Sequence, residues 1–353
     1  MTELTRDDIR AAVGAGMIDE AQAASILALS EERHGARRHL AGLDEPFELF
    51  RGFNEIFIVV GLTILYSGWW GMTGVAAFAI SQDMPASAMI FGLIGAVASV
   101  ALARYFTIRR RMVAPSIALT AFYAISIGQI GLGFALWQSF DEPGTLTLIS
   151  ASATVALLGY YLWFRVPIAM AVIAIGVFAT CFGLITAGGT VPEDPRDFFL
   201  LTNDGPFAIL TFALGMIGFV AAMWFDMGDP HRVALRSRAG FWLHVVSAPA
   251  IVNTVALTLF SLGTVSALSM LFVFVAALAI VAVVIDRRSF LISGVGYIVA
   301  LALTVLNGEG FVAILLLGFG LILLGAKWEA LRGLIMGSLP QFPGKDRLPP
   351  WAA

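Results

Sequence analysis

Charged residues are scarce in this sequence. Only 13% of its 353 residues are Asp, Glu, Lys or Arg, while 59% are hydrophobic, and the mean hydropathy is +0.88. An ordinary soluble domain is about one quarter charged, so this composition excludes a soluble globular protein. The charges that are present concentrate in residues 1–55 and in short breaks between long apolar runs.

Cysteine and the usual catalytic motifs are also nearly absent. The single cysteine, Cys181, lies inside an apolar run and excludes an internal disulfide, so it is interpreted as a packing residue. The sequence contains no His-Glu-x-x-His pair, no Gly-x-Ser-x-Gly turn and no phosphate-binding Walker loop. The four histidines are scattered along the chain. We therefore predict no enzymatic activity, no cofactor and no metal site.

The apolar runs are about 20 residues long, the length that an α-helix needs to cross a hydrocarbon core of about 30 Å. This spacing predicts an all-α fold, a polytopic transmembrane helix bundle that occupies residues 56–331. Ten spans are predicted, at residues 56–80, 86–103, 113–137, 146–164, 167–188, 206–225, 239–261, 265–285, 289–307 and 310–331.

The distribution of Lys and Arg predicts the orientation of these spans. Cytoplasmic connections of membrane proteins collect basic residues. With both termini in the cytoplasm, every basic residue except Arg196 falls on the cytoplasmic side of the ten predicted spans. The four tryptophans at predicted cytoplasmic helix ends agree with this orientation, because indole rings prefer the membrane interface; they are Trp163, Trp224, Trp242 and Trp328.

The middle of the predicted spans contains no Asp, Glu, Lys or Arg. An ionisable residue at mid-depth in a membrane usually marks a functional site. Here the charged residues closest to the middle of the spans lie at or beyond span ends; they are Glu55, Arg104, Arg165, Asp226, Asp286 and Glu309. We interpret this as evidence against a proton-coupled pump built on a buried carboxylate.

Small residues in the spans predict close helix packing. In span two, one row is formed by Ala88, Gly92 and Ala96, and an adjacent row by Gly95, Ser99 and Ala103. Span one has a row of Gly68, Gly71 and Gly74. In span three, Gln129 lies among glycines, where its amide is expected to bond to a neighbouring helix or to line a polar cavity.

Span seven carries the other polar candidates, within the stretch "FWLHVVSAPAIVNTV". We expect His244 to lie near the cytoplasmic interface, within reach of water, as a hydrogen-bonding residue. Pro249 removes one backbone donor and predicts a kink at mid-span, with the carbonyl of Val245 satisfied by Ser247 or by another helix. Asn253 is nine residues from His244 and so falls on the opposite side of the helix. Pro249 with Asn253 is the best candidate for a functional break.

The ends of the chain are predicted to be cytoplasmic. Residues 1–45 suggest a helical hairpin, with Gly14 and Gly16 in its turn and Asp19 capping its second helix. Residues 46–55 form a juxtamembrane amphipathic segment. Residues 332–353 form a proline-rich tail, and "LPQFPGKDRLPPWAA" within it has too many prolines to continue a helix, which predicts an extended end.

The order of these parts resembles a known family. The N-terminal "AAVGAGMIDEAQAASILAL", the small-residue-rich spans and the terminal "KWEALRGLIMGSLP" with "RLPP" resemble uncharacterised bacterial multi-spanning membrane proteins, classed only as a domain of unknown function. The resemblance implies a bacterial cytoplasmic (inner) membrane location. It carries no catalytic or binding residues.

Two functional hypotheses follow. Ten spans divided five and five would match the inverted repeats of small-molecule transporters, although helix breaks do not recur at corresponding positions of the two halves. The alternative is a non-catalytic membrane scaffold or sensor that acts through its N-terminal hairpin. The expected partners are the lipid bilayer and, through residues 1–40, a second copy or another protein, with no nucleic acid.

Overall fold

A computed structural model describes most of the chain between residues 53 and 349. The described residues are 53–76, 83–229, 235–288, 325–349 and 351, together with 9, 12–19, 22, 23, 26, 315, 318–320 and 322. Within these residues all regular secondary structure is helical, and no β-strand occurs. The predicted all-α class is confirmed for this part of the chain.

Eight helices are long and apolar enough to cross a membrane. They agree with the first eight predicted spans to within a few residues, and they indicate a membrane protein. Predicted span 289–307 and ten of the 22 residues of span 310–331 lie outside the described residues, so the total of ten spans stays a prediction. The eight helices are α1 Phe53–Ala76, α2 Met84–Ala103, α3 Val113–Trp137, α4 Glu142–Phe164, α5 Ala169–Ala187, α6 Phe207–Met227, α7 Leu235–Ser261 and α8 Val265–Ile285.

Short polar side chains begin several of these helices. The carboxylate of Asp83 accepts the backbone N–H of Ala86 at the start of α2, and Asp141 does the same for Gly144 in α4. The hydroxyl of Thr264 caps α8. Each cap satisfies one of the N–H groups that the first helical turn leaves without an intrahelical partner.

Successive helices run in opposite directions, so the bundle has two end faces. We call the first the Glu55 face: it holds the start of α1 beside the start of α3, and the end of α6 beside α7 and the residues after α8. The second is the Thr258 face, where the Thr258 hydroxyl contacts the backbone of Phe199 and Leu201 between α5 and α6. Arg196 lies in this same connection.

Small residues bring α2 and α3 into close contact, as predicted. The six small residues of the two α2 rows are all buried. At Gly92 an added Cβ would lie 2.7 Å from the carbonyl oxygen of Ser126, and at Gly133 it would lie 2.7 Å from the carbonyl oxygen of Pro85. Only a hydrogen at these positions permits such an approach of two backbones.

The glycine row of α1 behaves differently. Gly68, Gly71 and Gly74 are exposed, and an added Cβ at any of them would meet no atom of the described residues within 4 Å. The described part of α1 instead contacts α3 through its opposite side, where Tyr66 stacks on Phe122 and donates to the Ser126 hydroxyl or accepts from it. Among the described helices, none therefore packs closely against this row.

Three apolar clusters hold the described helices together. The first joins α1 to α5 through Leu62, Leu119, Leu157 and Ile173, among others. The other two join α7 to α8, and side chains of α6 pack against one of them. The eight described helices therefore form a five-helix group and a three-helix group, which meet where α5 packs beside α6 and α7.

The described residues of the N-terminal segment agree with its predicted turn. Residues 12–14 are helical, and Gly16 follows with a left-handed φ of +70°. Asp19 and Gln22 then cap each other reciprocally: the Gln22 N–H donates to the Asp19 carboxylate, and the Asp19 N–H donates to the Gln22 side chain. Within residues 1–55, only residues 9, 12–19, 22, 23, 26 and 53–55 belong to the described part of the chain.

The C-terminal segment differs from its prediction. A short helix, α9, spans Trp328–Ser338, so residues 332–338 are helical although they were assigned to the tail. Beyond Ser338 no α-helix follows, as the prolines predict. However, the end folds back instead of extending away, because Arg332 donates to the carbonyl of Pro349 and the ammonium of Lys345 donates to the carbonyl of Leu339.

Replacement of Glu55 by alanine tests the link between α1 and α3. The Glu55 carboxylate is 6% exposed and accepts the backbone N–H groups of Val113 and Ala114 at 3.0–3.3 Å, so one helix caps the other. We expect Glu55→Ala to lower the free energy of unfolding by about 1–2 kcal/mol. Unfolding by SDS titration in mixed micelles would measure it.

Glu142 provides the control for this prediction. It is an exposed carboxylate in the first turn of α4, where it interacts with the helix dipole in a solvated position. Its replacement by alanine should lower stability by about 0.5 kcal/mol or less. Equal effects of the two substitutions would show that Glu55 does not hold the start of α3.

Candidate functional site

A crevice opens between α1, α3, α4 and α5, halfway along the last three helices. Its volume is about 390 Å³. We call it the Gln129 crevice. The residues that define it are Trp70 of α1, Gln129 and Leu132 of α3, Ile149 and Leu157 of α4, and Ile175 of α5.

Gln129 bonds to a neighbouring helix, the first of the two roles considered for it, whereas the crevice that it lines is mainly apolar and not the polar cavity of the second. Its side-chain amide donates from Nε2 to the Thr73 hydroxyl of α1 at 2.9 Å, which joins two helices. The residue is 7% exposed and also lines the crevice. Its Oε1 is buried and has no hydrogen-bond donor among the described residues. The amide is therefore hydrogen-bonded through Nε2 and leaves Oε1 buried without a donor.

Two hydroxyl groups of this crevice are already satisfied by the backbone. The Ser150 hydroxyl donates to the carbonyl of Leu146, and the Thr154 hydroxyl donates to the carbonyl of Ser150. Among the described residues, no carboxylate, histidine or cysteine lines the crevice. The Gln129 crevice can thus bind a molecule, but its lining supplies no nucleophile with a base beside it.

A second crevice lies on the other side of α5, between α5, α6 and α7. Its volume is about 250 Å³, and it is lined by Pro249 and Asn253 together with Ser247, Thr211 and Gly215. We call it the Pro249 crevice. The two residues that the sequence singled out as a functional break are therefore brought together at one cavity, while His244 does not line it.

The helix around Pro249 remains continuous from Leu235 to Ser261. Ser247 was one of the two candidates expected to satisfy the carbonyl of Val245. Its hydroxyl instead lies 3.5 Å from the carbonyl oxygen of His244. The reason is geometric, since a serine in a helix reaches carbonyls three or four residues earlier. Gly215 and Gly218 of α6 face this part of α7.

A buried ionic cluster joins α6, α7 and the residues after α8. It consists of Asp226, His244 and Arg287, and we call it the Asp226 cluster. The guanidinium of Arg287 donates to both oxygens of Asp226, at 3.0 and 2.6 Å, and the Nε2–H of His244 donates to the same carboxylate at 2.9 Å. The side chains of His244 and Arg287 are fully buried, and that of Asp226 is 7% exposed.

The packing around this cluster excludes water. Arg287 lies over the ring of Phe241 and donates to the carbonyl of Ser237, while the edge of His244 meets Phe219. At Gly240 an added Cβ would collide with the Asp226 carboxylate. Buried charges are stable only when they are paired and hydrogen-bonded, and this site meets both conditions with one acid and one guanidinium.

The sequence analysis missed this cluster and misplaced His244. His244 was expected to be reached by interfacial water, yet it is 0% exposed, because α6 and the chain after α8 cover it. Asp226 was interpreted as a span-end charge, yet it is buried between helices. Its partners are 18 and 61 residues away along the chain. The one local signal was Gly240, one helical turn before His244.

A second polar layer continues towards α9. The indole N–H of Trp328 donates to the Asp286 carboxylate at 2.6 Å, and the guanidinium of Arg332 donates to the carbonyl of Val283. Burial lowers the pKa of Arg332, and the nearby Asp286 opposes this shift. The layer fixes α9 against the end of α8 and closes the Glu55 face beside Arg287.

The acidic loop on the Thr258 face uses its carboxylates for its own structure. Asp197 accepts the backbone N–H groups of Asp194 and Glu193 and the side-chain amide of Asn203. These hydrogen bonds hold the pKa of Asp197 below its ordinary value, and the bond from the backbone N–H of Asp194 has the largest effect. Among the residues that the structure describes, no group of three or more His, Cys, Asp or Glu side chains could hold a metal ion.

Comparison with known proteins gives no further assignment. No protein-family model, curated protein or solved structure matches this chain.

Proposed function

We propose that this membrane protein is a permease for a small molecule. The observation that carries the proposal is the Gln129 crevice. It lies halfway along three helices that are long enough to cross a membrane, and it contains a buried amide oxygen. Membrane transporters place their substrate sites near the bilayer midplane, at the junction of helices.

The Pro249 crevice and the Asp226 cluster supply the means of movement. Near the Glu55 face, α7 is fixed to α6 and to Arg287 by buried charge. Farther along, Pro249 removes the backbone bond to Val245, and the adjacent crevice of about 250 Å³ leaves room beside the helix. The far half of α7 can therefore bend against a fixed near half. The bending part of α7 packs beside α5, and a shift of α5 would change both crevices, because Ile175 of α5 lines each of them.

The same features favour transport over catalysis. The hydroxyls of the Gln129 crevice donate to backbone carbonyls, and the described residues of its lining include no acid or base. The proposal includes the orientation that the basic residues predict, with both termini in the cytoplasm, and ten spans in a bacterial inner membrane. In this proposal the protein lies in the lipid bilayer, and residues 1–40 bind a second copy of the chain or another protein.

A crevice-filling substitution tests the proposal. Ala124 of α3 lines the Gln129 crevice, whereas Ala121, one turn earlier on the same helix, is exposed and does not. We expect a strain that lacks the gene to show a changed profile of small molecules inside and outside the cell. Wild-type protein and Ala121→Phe should restore the profile, and Ala124→Phe should not, with all three present in the membrane at similar levels.

Two outcomes would contradict the proposal. One is an unchanged profile in the strain without the gene, and the other is full restoration by Ala124→Phe. A variant that lacks residues 1–40 separates the permease from the scaffold or sensor. The permease predicts that this variant restores the profile, because the crevices lie in α1 and α3 to α7, whereas the scaffold predicts that it does not.

A further inference from the structure

The lining of the Gln129 crevice defines the chemistry of its ligand. Apart from Gln129, the polar groups of the described lining residues are the indole N–H of Trp70 and the hydroxyls of Ser150 and Thr154, and both hydroxyls donate to backbone carbonyls. None of the described lining residues is Lys, Arg, Asp or Glu. A charged ligand would lose its hydration there without gaining a counter-charge. The volume of about 390 Å³ lies within the roughly 300–1,000 Å³ of small-molecule sites.

The mouth of this crevice is apolar and exposed. Trp70, Ile125 and Ile175 are 53%, 46% and 55% exposed, although they lie along helices that are apolar enough to cross a membrane. Leu157, 1% exposed, forms the floor. Exposed apolar side chains halfway along spanning helices face acyl chains, so a ligand reaches this crevice from the bilayer.

The Gln129 oxygen is the buried acceptor of this lining that makes no hydrogen bond. In the observed orientation Nε2 donates to the Thr73 hydroxyl, and Oε1 has no donor among the described residues. A buried amide oxygen without a donor is unfavourable. A ligand with one O–H or N–H group would satisfy it, while a ligand without a donor would leave it unsatisfied.

We infer that the Gln129 crevice binds an apolar molecule that carries one hydroxyl or N–H donor and that enters from the membrane. This inference rests on the proposed function and names its class of substrate. The Pro249 crevice is the weaker candidate for the same ligand, because its volume of about 250 Å³ falls below the range of typical small-molecule sites.

Photolabelling of the full chain in lipid nanodiscs tests the inference. The probe is an octanol that carries a diazirine on its chain, and the matched probe is its methyl ether, which has the same apolar body and no donor. Mass spectrometry should locate the label from the alcohol on segments 124–132 and 149–157, and unlabelled octanol should compete. Labelling of these segments by the ether should be about three- to tenfold weaker, the difference that one net hydrogen bond makes.

Gln129→Leu supplies the matched variant, and Asn253→Leu is its control in the other crevice. The first should remove the preference for the alcohol and leave the ether unchanged, and the second should keep the preference. Equal labelling by the two probes in the wild-type protein would overturn the inference without reliance on any variant. So would a label spread over all exposed faces without competition, or a preference that persists in Gln129→Leu.

The two proposals fail in different ways. Selective labelling of the crevice by the alcohol, combined with full restoration of the metabolite profile by Ala124→Phe, would leave a lipophilic binding site and remove the permease. Loss of restoration in Ala124→Phe, combined with equal labelling by alcohol and ether, would keep the permease and overturn this class of substrate.

Discussion

Asp226→Asn is expected to lower the free energy of unfolding by about 3–5 kcal/mol, the usual effect of removing one partner from a buried ion pair. In the wild-type protein the fully buried guanidinium of Arg287 makes two hydrogen bonds to the Asp226 carboxylate. In the variant it would face a neutral amide instead. The amide would also offer a donor to the Nε2–H of His244. Unfolding by SDS titration in mixed micelles, and the melting temperature in detergent, would measure the loss.

Two further variants serve as controls for this prediction. Asp204→Asn, at an exposed position of the loop before α6, should leave stability within about 0.5 kcal/mol of the wild-type value. The double substitution Asp226→Asn with Arg287→Met should recover part of the loss, because it removes the uncompensated charge. If the double variant is as unstable as the sum of the two single variants, the pair does not act as a unit.

Gly133→Ala is expected to lower the free energy of unfolding by about 3 kcal/mol, near the upper end of the cost of overpacking a core. The new Cβ would lie 2.7 Å from the carbonyl oxygen of Pro85 and 2.9 Å from the backbone nitrogen of Met89. Backbone atoms cannot rotate away as a side chain does, so α2 and α3 would have to separate. The same SDS titration would measure the effect.

Gly71→Ala is the matched control, since it makes the same chemical change in another spanning helix. Its Cβ would meet no atom of the described residues within 4 Å. Alanine is the better helix former by about 0.5–1 kcal/mol, so this variant should equal the wild-type protein or exceed it in stability. Similar losses for both glycines would indicate that the contact between α2 and α3 is not as close as described.

The spans were predictable because the signal for each is local. About 20 consecutive apolar residues are sufficient to mark a helix that crosses a bilayer, and the first eight predicted spans match α1 to α8 within a few residues. Their capping residues, such as Asp83 and Thr264, are also adjacent to the helices that they begin.

Packing surfaces were predictable only in part. Both α1 and α2 carry rows of small residues, but only the rows of α2 are buried against another described helix. A row of small residues shows that a close approach is permitted. It does not show whether a partner helix lies opposite, because that depends on where the other helices stand.

The candidate site divides in the same way. The sequence by itself determined the membrane-spanning class and picked out Gln129, Pro249 and Asn253 as polar or kinked positions, because each stands out against its own apolar neighbours. The tertiary structure alone decided that these residues line two crevices beside α5 and that Asp226, His244 and Arg287 form one buried cluster. The physical reason is that the sequence around a charged residue at a helix end is the same whether water or a partner 61 residues away along the chain satisfies the charge.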